Sequence, residues 1–293
     1  MGRFSYRVVE DTAKELYIRA LKILPPDVRE AIKRAYAKED NTTARAIFET
    51  IFRNIEIADT QSMLICQDTG LPIYIVTIGS KIRIDGSKIK AALNEGARRA
   101  TIEHPFRGSS THPITRENPQ TSVGEGLPVI YWDFDMNADY LDILMIPKGS
   151  GSEMMSTMKM FTPAEGLQAI KKFVLDSVVA AGANPCPPGV IGVGIGGTAD
   201  LVMVLAKKAL ARPVGSRNPD PLFAKLEEEL EEAINSTGIG PMGLGGINTT
   251  LAVHIEWAYT HITQNPVAVN IQCWPARRAR ARIWKDGRVE YSF

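Results

Sequence analysis

The residues of this chain that are best suited to metal chemistry are its three cysteines, Cys66, Cys186 and Cys273. An odd number of cysteines, separated by 120 and 87 residues, does not have the spacing of a secreted disulfide framework. Each cysteine ends an apolar stretch beside a glycine, a proline or a polar turn. Cysteines that only fill space in a core have no reason to share that position. The pattern therefore favours a common metal centre.

The spacing favours iron and sulfur over a structural zinc ion. Structural zinc sites use closely spaced cysteine pairs, and this chain has no Cys-x-x-Cys. Three thiolates leave one iron of a 4Fe-4S cluster without a protein ligand. An open iron is a Lewis acid that polarises a carboxylate or a hydroxyl and lowers the pKa of bound water. We therefore expect hydration or dehydration of a hydroxy acid.

Cys186 stands in a proline-rich turn that leads into a glycine-rich segment. The three prolines around it fix φ and remove backbone donors, so neither a helix nor a central strand is predicted there. Residues 190–195 predict a short buried strand, and residues 199–211 predict a helix. The glycines at 192, 194 and 197 fit G-x-G-x-x-G. A dinucleotide site is still not favoured, because the acidic residue expected about 20 positions later is missing.

Cys66 opens a second polar segment, Cys66–Gly70, with the sequence Cys-Gln-Asp-Thr-Gly. It follows an apolar run, so the sequence predicts that it lies at the end of a strand. Residues 104–128 have no periodicity over more than 20 residues, which is typical of a functional loop. The side chains of this loop that are able to bind a dianion are Arg107, His112, Arg116, Asn118 and Gln120.

The elements that must position these residues predict an α+β fold. Residues 1–60 carry helical periodicity and predict an N-terminal helical lobe. That lobe is expected to pack on a mixed-sheet lobe, residues 61–293, with glycine-rich loops around the metal-cluster site, both lobes being parts of one domain. Residues 129–134 and 141–146 predict a hairpin around an acidic turn. The arginine-rich residues 277–285 predict a solvated edge strand.

Composition argues for a soluble protein without a polyanionic partner. The 34 basic residues balance the 33 acidic ones, so the net charge does not favour binding to nucleic acid or to an anionic membrane. No apolar run approaches the roughly 18 residues of a membrane-spanning helix. The first residues, Met1–Tyr6, lack the apolar core of a signal peptide, and a cytoplasmic location is expected.

Four blocks of this sequence resemble the α subunit of the class I, iron-sulfur fumarate hydratase and L-tartrate dehydratase family. They cover most of the chain from Cys66 onward and are specific in combination. The blocks are Cys66–Gly70, Pro147–Glu153, Asn184–Pro188 with Ile195–Thr198, and Asn270–Cys273.

The resemblance implies a 4Fe-4S cluster held by Cys66, Cys186 and Cys273. In single-chain members of the family a cysteine precedes a Lys-Gly-Gly-Gly-Ser block, and this sequence has Met145 there. Cys273 resembles the ligand that two-subunit members use instead. The three cysteines present therefore equal the three that the cluster requires.

The resemblance also implies the residues that meet the substrate. Gln67 and Asp68 are expected to be catalytic and to bind substrate, and further contacts are expected from Arg107, Gly124 and Lys148. The catalytic base and more cationic contacts are expected from a separate β subunit, because the single-chain enzymes continue where this chain ends. An α2β2 assembly is expected.

Three functions remain open from the sequence. The first is a 4Fe-4S hydro-lyase that interconverts fumarate and malate, and the second is an L-tartrate dehydratase α subunit that yields oxaloacetate. The third, a non-catalytic metal-binding scaffold, explains the cysteines but not the conjunction of Gln67, Asp68, Arg107 and Lys148.

Overall fold

The computed structural model describes residues 4–293. Met1–Arg3 lie outside the described residues. They belong to the segment whose sequence lacks the apolar core of a signal peptide. The predicted α+β class is confirmed, because the chain forms helices and two mixed sheets. No helix in residues 4–293 combines the length and the apolar character needed to cross a bilayer.

The helices and strands follow one another in an irregular order along the chain. In sequence they are α1 (Tyr6–Lys22), α2 (Pro26–Lys38), α3 (Thr42–Gln61), β1 (Leu71–Gly79), α4 (Gly86–Glu103), β2 (Val129–Asp135), β3 (Tyr140–Lys148), α5 (Ser150–Glu153), β4 (Thr157–Phe161), α6 (Gly166–Ala181), β5 (Gly189–Gly196), α7 (Ala199–Ala209), α8 (Pro221–Asn235), β6 (Thr250–Ala258), β7 (Asn265–Gln272), β8 (Ala279–Trp284) and β9 (Val289–Ser292). Two short 3₁₀ helices cover Pro163–Glu165 and Pro241–Gly243.

The contacts of the chain divide it into two compact units, neither of which is a continuous segment. Unit 1 contains the described residues up to Pro25, Ile57–Gly149 and Arg277–Phe293. Unit 2 contains Pro26–Glu56 and Ser150–Ala276. The helices of residues 1–60 are thus shared between the units. The division into lobes at residue 60 stays a prediction.

Unit 1 is a five-stranded sheet, in the order β2-β1-β3-β8-β9, packed against α1 and α4. The apolar face of α1 recurs at helical spacing and includes Val9, Ala13 and Leu16, which are fully buried. The two helices approach so closely at Gly96 that a Cβ there would lie 2.5 Å from the Glu10 carbonyl oxygen. A glycine is therefore required at this crossing.

The predicted hairpin of β2 and β3 is wrong. Both strands pair with β1 instead, β2 in parallel with Ile73 opposite Val129, and β3 antiparallel with Ile73 opposite Ile146. The physical reason is that β1 is apolar and mostly buried, away from water. Its backbone N–H and C=O groups therefore need a partner strand on each side, which only an inner strand has. The acidic turn consequently connects two strands that are not neighbours.

The edge position predicted for the basic strand is wrong, whereas its predicted solvated face is confirmed in part, because the side chains of Arg280 and Arg282 are 44% and 41% exposed. β8 lies between β3 and β9, and β9 forms the edge. Asp142 on β3 accepts hydrogen bonds from Arg280 at 2.7 Å and Arg282 at 3.0 Å, so one carboxylate is shared by two guanidinium groups across the sheet. Arg277 and Arg278, just before β8, are only 1% and 2% exposed.

Unit 2 is a four-stranded sheet in the order β4-β7-β5-β6. Every residue of β5 is buried, and its side chains alternate between faces. Ile191, Val193 and Ile195 pack with α6 and α8. On the opposite face α7 lies directly on the backbone. The strand and the helix predicted for residues 190–211 are confirmed.

The glycines of β5 have a packing role in this arrangement. A Cβ at position 192 would lie 2.2 Å from the carbonyl oxygen of Ala206, and one at position 194 would lie 2.1 Å from that of Val202. No side chain fits between β5 and α7 at these positions. The G-x-G pattern therefore reflects close helix-to-strand contact.

Candidate active site

The segment Cys66–Gly70 lies in unit 1 and enters β1, whereas the sequence predicts it at the end of a strand. Residues 62–70 form neither helix nor strand. The apolar run before Cys66 does not form a strand but contacts α1. The Ile65 amide donates to the Leu21 carbonyl at 3.0 Å, just before the C-terminal end of that helix. Buried Ile65 thus anchors a loop to that helix.

A tight turn fixes the position of Asp68. Its Oδ1 accepts a hydrogen bond from the Gly70 amide at 2.9 Å, and Gly70 has a φ of 66°. Leu71 then pairs with Lys148 at the end of β3. The turn therefore meets the end of β3 in unit 1, where Gly70 lies against the backbone of Lys148 and Asp68 Oδ2 lies beside Gly149.

Gly70→Ala should lower the free energy of unfolding by about 2 to 4 kcal/mol, because it adds a left-handed backbone penalty to overpacking. The new Cβ would lie 2.8 Å from the carbonyl carbon and oxygen of Lys148. Urea unfolding measures the change. Gly86→Ala is the matched control, because no atom lies within 4 Å of that added Cβ. Equal midpoints for the two variants would contradict the described packing.

Arg277 is the site residue that sequence analysis missed. Its Nη1 donates to the Asp68 carbonyl at 2.7 Å. A Cβ at Gly149 would lie 3.0 Å from Asp68 Oδ2 and 3.6 Å from Arg277 Nη2. A carboxylate, a guanidinium and a bare stretch of backbone are thus gathered in unit 1. The available signal was the position of this arginine, which directly follows the Cys273 turn.

Arg277→Gln should lower the free energy of unfolding by about 1 to 3 kcal/mol, since the Asp68 carbonyl loses a charged donor in an enclosed position. Lys285→Gln is the control, because Lys285 is exposed. Its effect should stay within about 0.5 kcal/mol. Thermal unfolding of both variants tests the difference. A neutral Arg277 variant would remove this residue from the support of Asp68.

Residues 104–128 form a loop held together by its own hydrogen bonds, and among these residues only Gly124 and Leu127 form a β-bridge. The Ser110 hydroxyl donates to the Thr121 carbonyl at 2.6 Å, and the Asn118 side chain donates to the Gly108 carbonyl at 2.8 Å. The loop therefore has a defined conformation.

The loop is tied to the Asp68 turn at Thr69. The Thr69 hydroxyl donates to the Arg107 carbonyl at 2.7 Å and lies 2.8 Å from the Ser109 hydroxyl. Arg107 itself is exposed, as is Gly124. Two of the predicted substrate residues thus lie on solvent-facing parts of a loop whose backbone is bound to the turn.

Tyr17 on α1 braces the same turn from inside unit 1. Its hydroxyl donates to the Gly70 carbonyl at 2.9 Å and lies 3.2 Å from the Ser122 hydroxyl. Burial raises the pKa of Tyr17 to about 12, so the phenol keeps its proton and remains a donor at neutral pH.

Some side chains of the predicted dianion site instead form hydrogen bonds within the loop itself. His112 Nδ1 accepts from the Thr115 amide at 3.1 Å, and the Asn118 side chain also accepts from the Gln120 amide at 2.7 Å. These contacts shape the loop around Arg107. The role of Arg107 toward a substrate carboxylate stays a prediction, as do the roles of Gln67, Asp68, Gly124 and Lys148.

Cys186 and Cys273 lie on adjacent backbone segments of unit 2. The Cys186 carbonyl accepts from the Trp274 amide at 3.1 Å, and Cys273 directly follows β7. The two segments touch at Gly189, where a Cβ would lie 1.9 Å from the Gln272 carbonyl oxygen. Two of the three predicted ligands are therefore neighbours along facing turns.

The setting of Cys186 matches the predicted stiff turn. Its φ is 53°, its amide donates to the Ala183 carbonyl at 3.0 Å, and its side chain is exposed. Cys66, in unit 1, and Cys273 are half-buried, and none of the three cysteines forms a disulfide. Three accessible thiols are a donor set that fits an iron-sulfur cluster.

Coordination of a single metal ion is a separate case. Within residues 4–293, no three His, Cys, Asp or Glu side chains are arranged to hold one metal ion. The cysteines of an iron-sulfur cluster bind different iron atoms, so this finding concerns single-ion sites.

A partly buried polar network holds the segment after Lys148 within unit 2. Glu153 pairs with Lys207 on α7, and the Asn270 side chain donates to Ser156 Oγ at 2.6 Å and to Glu153 Oε2 at 3.4 Å. Asn270 is fully buried on β7. The Pro147–Glu153 and Asn270–Cys273 blocks are therefore joined at Glu153.

The family of the chain follows from comparison with known proteins. The family model described as fumarate hydratase, or Fumerase, matches residues 10–282. The chain therefore belongs to this family of hydro-lyases. It is an enzyme, so the alternative of a non-catalytic scaffold is wrong.

The chain is similar to several proteins that are named as α subunits of L(+)-tartrate dehydratase. A putative L(+)-tartrate dehydratase subunit alpha of Methanocaldococcus jannaschii is 46% identical over 283 residues, covering 96% of this chain and 99% of that protein. The L(+)-tartrate dehydratase subunit alpha of Escherichia coli K12 is 34% identical over 263 residues, covering 90% of this chain and 86% of that protein. The protein of the same name from Shigella sonnei matches equally well.

Proposed function

We propose that this chain is the α subunit of a 4Fe-4S-dependent L-(+)-tartrate dehydratase. The observation that carries the proposal is the 46% identity, over 96% of the chain, to a relative named as a putative subunit of that enzyme. The sequence alone placed fumarate hydration first and tartrate dehydration second. The names of the relatives favour the second.

The proposed cofactor is a 4Fe-4S cluster held by Cys66, Cys186 and Cys273. When bound, such a cluster supplies a Lewis acid with an open position for a carboxylate or a hydroxyl. Support comes from the adjacent backbones of Cys186 and Cys273 and from the absence of a disulfide at all three cysteines.

The proposed reaction is a dehydration. Tartrate loses a hydroxyl from one carbon and a proton from its neighbour, so the products are water and the enol of oxaloacetate, which tautomerises to the ketone. The chemistry needs a group that manages the proton of the leaving hydroxyl, a base for the carbon-bound proton and cations for two carboxylates.

We assign the proton of the leaving hydroxyl to Asp68. Its Oδ1 accepts from the Gly70 amide, and its Oδ2 lies 3.0 Å from the position of a Cβ at Gly149, with Arg277 Nη2 3.6 Å from the same position. A carboxylate that a backbone amide holds in place beside a glycine is suited to proton exchange. Gln67, on the preceding residue, is assigned to orient the substrate.

We assign a substrate carboxylate to Arg107. Its guanidinium offers a bidentate fork, and its backbone is fixed to Thr69 beside the turn. Lys148, 3% exposed at the end of β3, and Gly124 complete the proposed substrate contacts of this chain.

The base is assigned to a partner β subunit, in an α2β2 assembly. The relatives are named subunit alpha, which supports a partner for this chain as well. The proposed partner would supply the base for the carbon-bound proton and further cations for the second carboxylate.

The test is an anaerobic assay of this chain co-expressed with its partner subunit. Fumarate, L-malate and both tartrates are supplied separately, and oxaloacetate, fumarate and malate are measured. We expect the largest kcat/KM for L-(+)-tartrate and little turnover by the isolated chain. A preference for fumarate or malate would restore the first function expected from the sequence, and full activity of this chain alone would refute the two-subunit assignment.

A further inference from the structure

A cavity of about 340 Å³ lies in unit 2, in a region with no assigned role. Its walls are α2, α8, the start of β6 and the loop around Gly215. Its side chains are mostly polar, and three of them are cations: Arg34, Lys38 and Arg217. One carboxylate, Glu231, also lines it, so the cavity carries an excess of positive charge.

Two of the four cations of α2, Arg34 and Lys38, have no acidic partner in the described part of the chain. Among the residues that the structure describes, neither Arg34 nor Lys38 takes part in an ion pair, whereas Lys33 on the same helix pairs with Glu30 at 3.6 Å. Arg34 and Lys38 are four residues apart, so they share a helix face and repel each other. Between residues 4 and 293, no acidic side chain compensates these two like charges beside the cavity.

The third cation is partly compensated. Arg217 Nη1 lies 2.9 Å from Glu231 Oε2, and Arg217 Nε lies 3.9 Å from Glu228 Oε1. Arg34 Nη2 comes within 3.9 Å of the position of a Cβ at Gly215. The Arg34 guanidinium therefore reaches the loop that carries Arg217. The cations therefore converge from two sides of the cavity.

The floor of the cavity is fixed by two amide side chains, of half-buried Asn235 and buried Asn248. Asn235 Oδ1 accepts from the Thr249 amide at 2.8 Å and the Thr250 amide at 2.9 Å. Asn248 Nδ2 donates to Glu39 Oε2 at 2.7 Å. These groups hold β6 against α2 and α8, so the cavity is formed in advance and presents hydrogen-bonding groups to a polar ligand.

We propose that this cavity binds a small dianion, such as a phosphate group or a dicarboxylate. A dianion would neutralise Arg34 and Lys38 and accept hydrogen bonds from the planar guanidinium of Arg34, which suits both kinds of oxyanion. The site is distinct in sequence from every residue assigned above to the cluster or the substrate.

Isothermal titration of the full chain with inorganic phosphate and, separately, with L-malate tests the proposal. We expect saturable binding of at least one probe. The double variant Arg34→Gln/Lys38→Gln should weaken that binding by about tenfold or more, because charge-assisted contacts to the anion are removed. The variant should fold normally, since it relieves a like-charge pair on α2.

Lys33→Gln is the matched control, because it removes one exposed charge from the same helix but from outside the cavity. Loss of phosphate binding alone assigns the site to phosphate groups, and loss of malate binding assigns it to dicarboxylates. Absence of saturable binding overturns the proposal. Equal affinity in the double variant and the wild type, or an equal loss in the Lys33 variant, also overturns it.

Discussion

Asp68→Asn in the assembled enzyme should lower kcat by about 10²- to 10⁴-fold while the iron content stays unchanged, the usual range for a positioned acid-base group. Asparagine keeps the shape of the side chain and can still accept from the Gly70 amide, which is 2.9 Å from Oδ1 in the wild type. It removes the oxygen that exchanges a proton. The measurements are kcat, iron per chain and melting temperature on one preparation.

Asp85→Asn is the matched control for this prediction. Asp85 forms the same type of turn, accepting from the Ser87 amide at 2.9 Å, at the start of α4. Its replacement should leave kcat unchanged. If Asp68→Asn lowers the melting temperature but keeps near-wild-type kcat, Asp68 only shapes the turn and has no part in the reaction.

Cys66→Ser, Cys186→Ser and Cys273→Ser should each abolish most of the bound iron and lower activity by at least about 100-fold. Removing a residue that only orients a metal ligand lowers metal affinity or activity about 10- to 100-fold, and loss of a ligand itself lowers them more. Serine preserves the size of the side chain but lacks the soft sulfur donor that iron-sulfur clusters require. Iron and sulfide are measured after anaerobic reconstitution.

Met145→Leu is the control for the cysteine variants. Met145 is the position at which, by family resemblance, single-chain members carry a cysteine, and here it is fully buried in the core of unit 1. A volume-conserving change there should cost less than about 1.5 kcal/mol and leave the iron content intact. A cysteine variant that retains the iron content of the wild type would remove that cysteine from the ligand set.

The sequence was sufficient wherever a pattern is local. The strand at 190–195 and the helix at 199–211 follow from apolar periodicity and from prolines that exclude regular structure before them. The N-cap of α3 is encoded equally locally, because Asn41 lies three residues before Ala44 and its Oδ1 accepts from the Ala44 amide at 3.0 Å. These contacts join residues within one or two turns of the chain.

The sequence was insufficient where contacts join distant segments. The pairing of β2 and β3 to β1 depends on competition among strand edges, which neighbouring residues do not encode. From the sequence alone, Gly192 and Gly194 fit a phosphate-binding loop as well as they fit close helix-to-strand packing. Only the position of α7 decides between the two. Arg277 resembles a surface arginine in sequence, and only its contact with the Asp68 carbonyl, 209 residues away, shows otherwise.

That long separation has a consequence for synthesis on the ribosome. β3 emerges well before β8, its neighbour in the sheet, and until β8 arrives one edge of β3 has no partner strand. An unpaired apolar strand edge is a template for aggregation. The nascent chain therefore carries an exposed edge while all of Ser150–Ala276 is translated, and the Asp68 turn acquires Arg277 only afterwards. Slow translation of that stretch, or a shortage of chaperones, should affect the yield of this chain more than that of a protein built from contiguous domains.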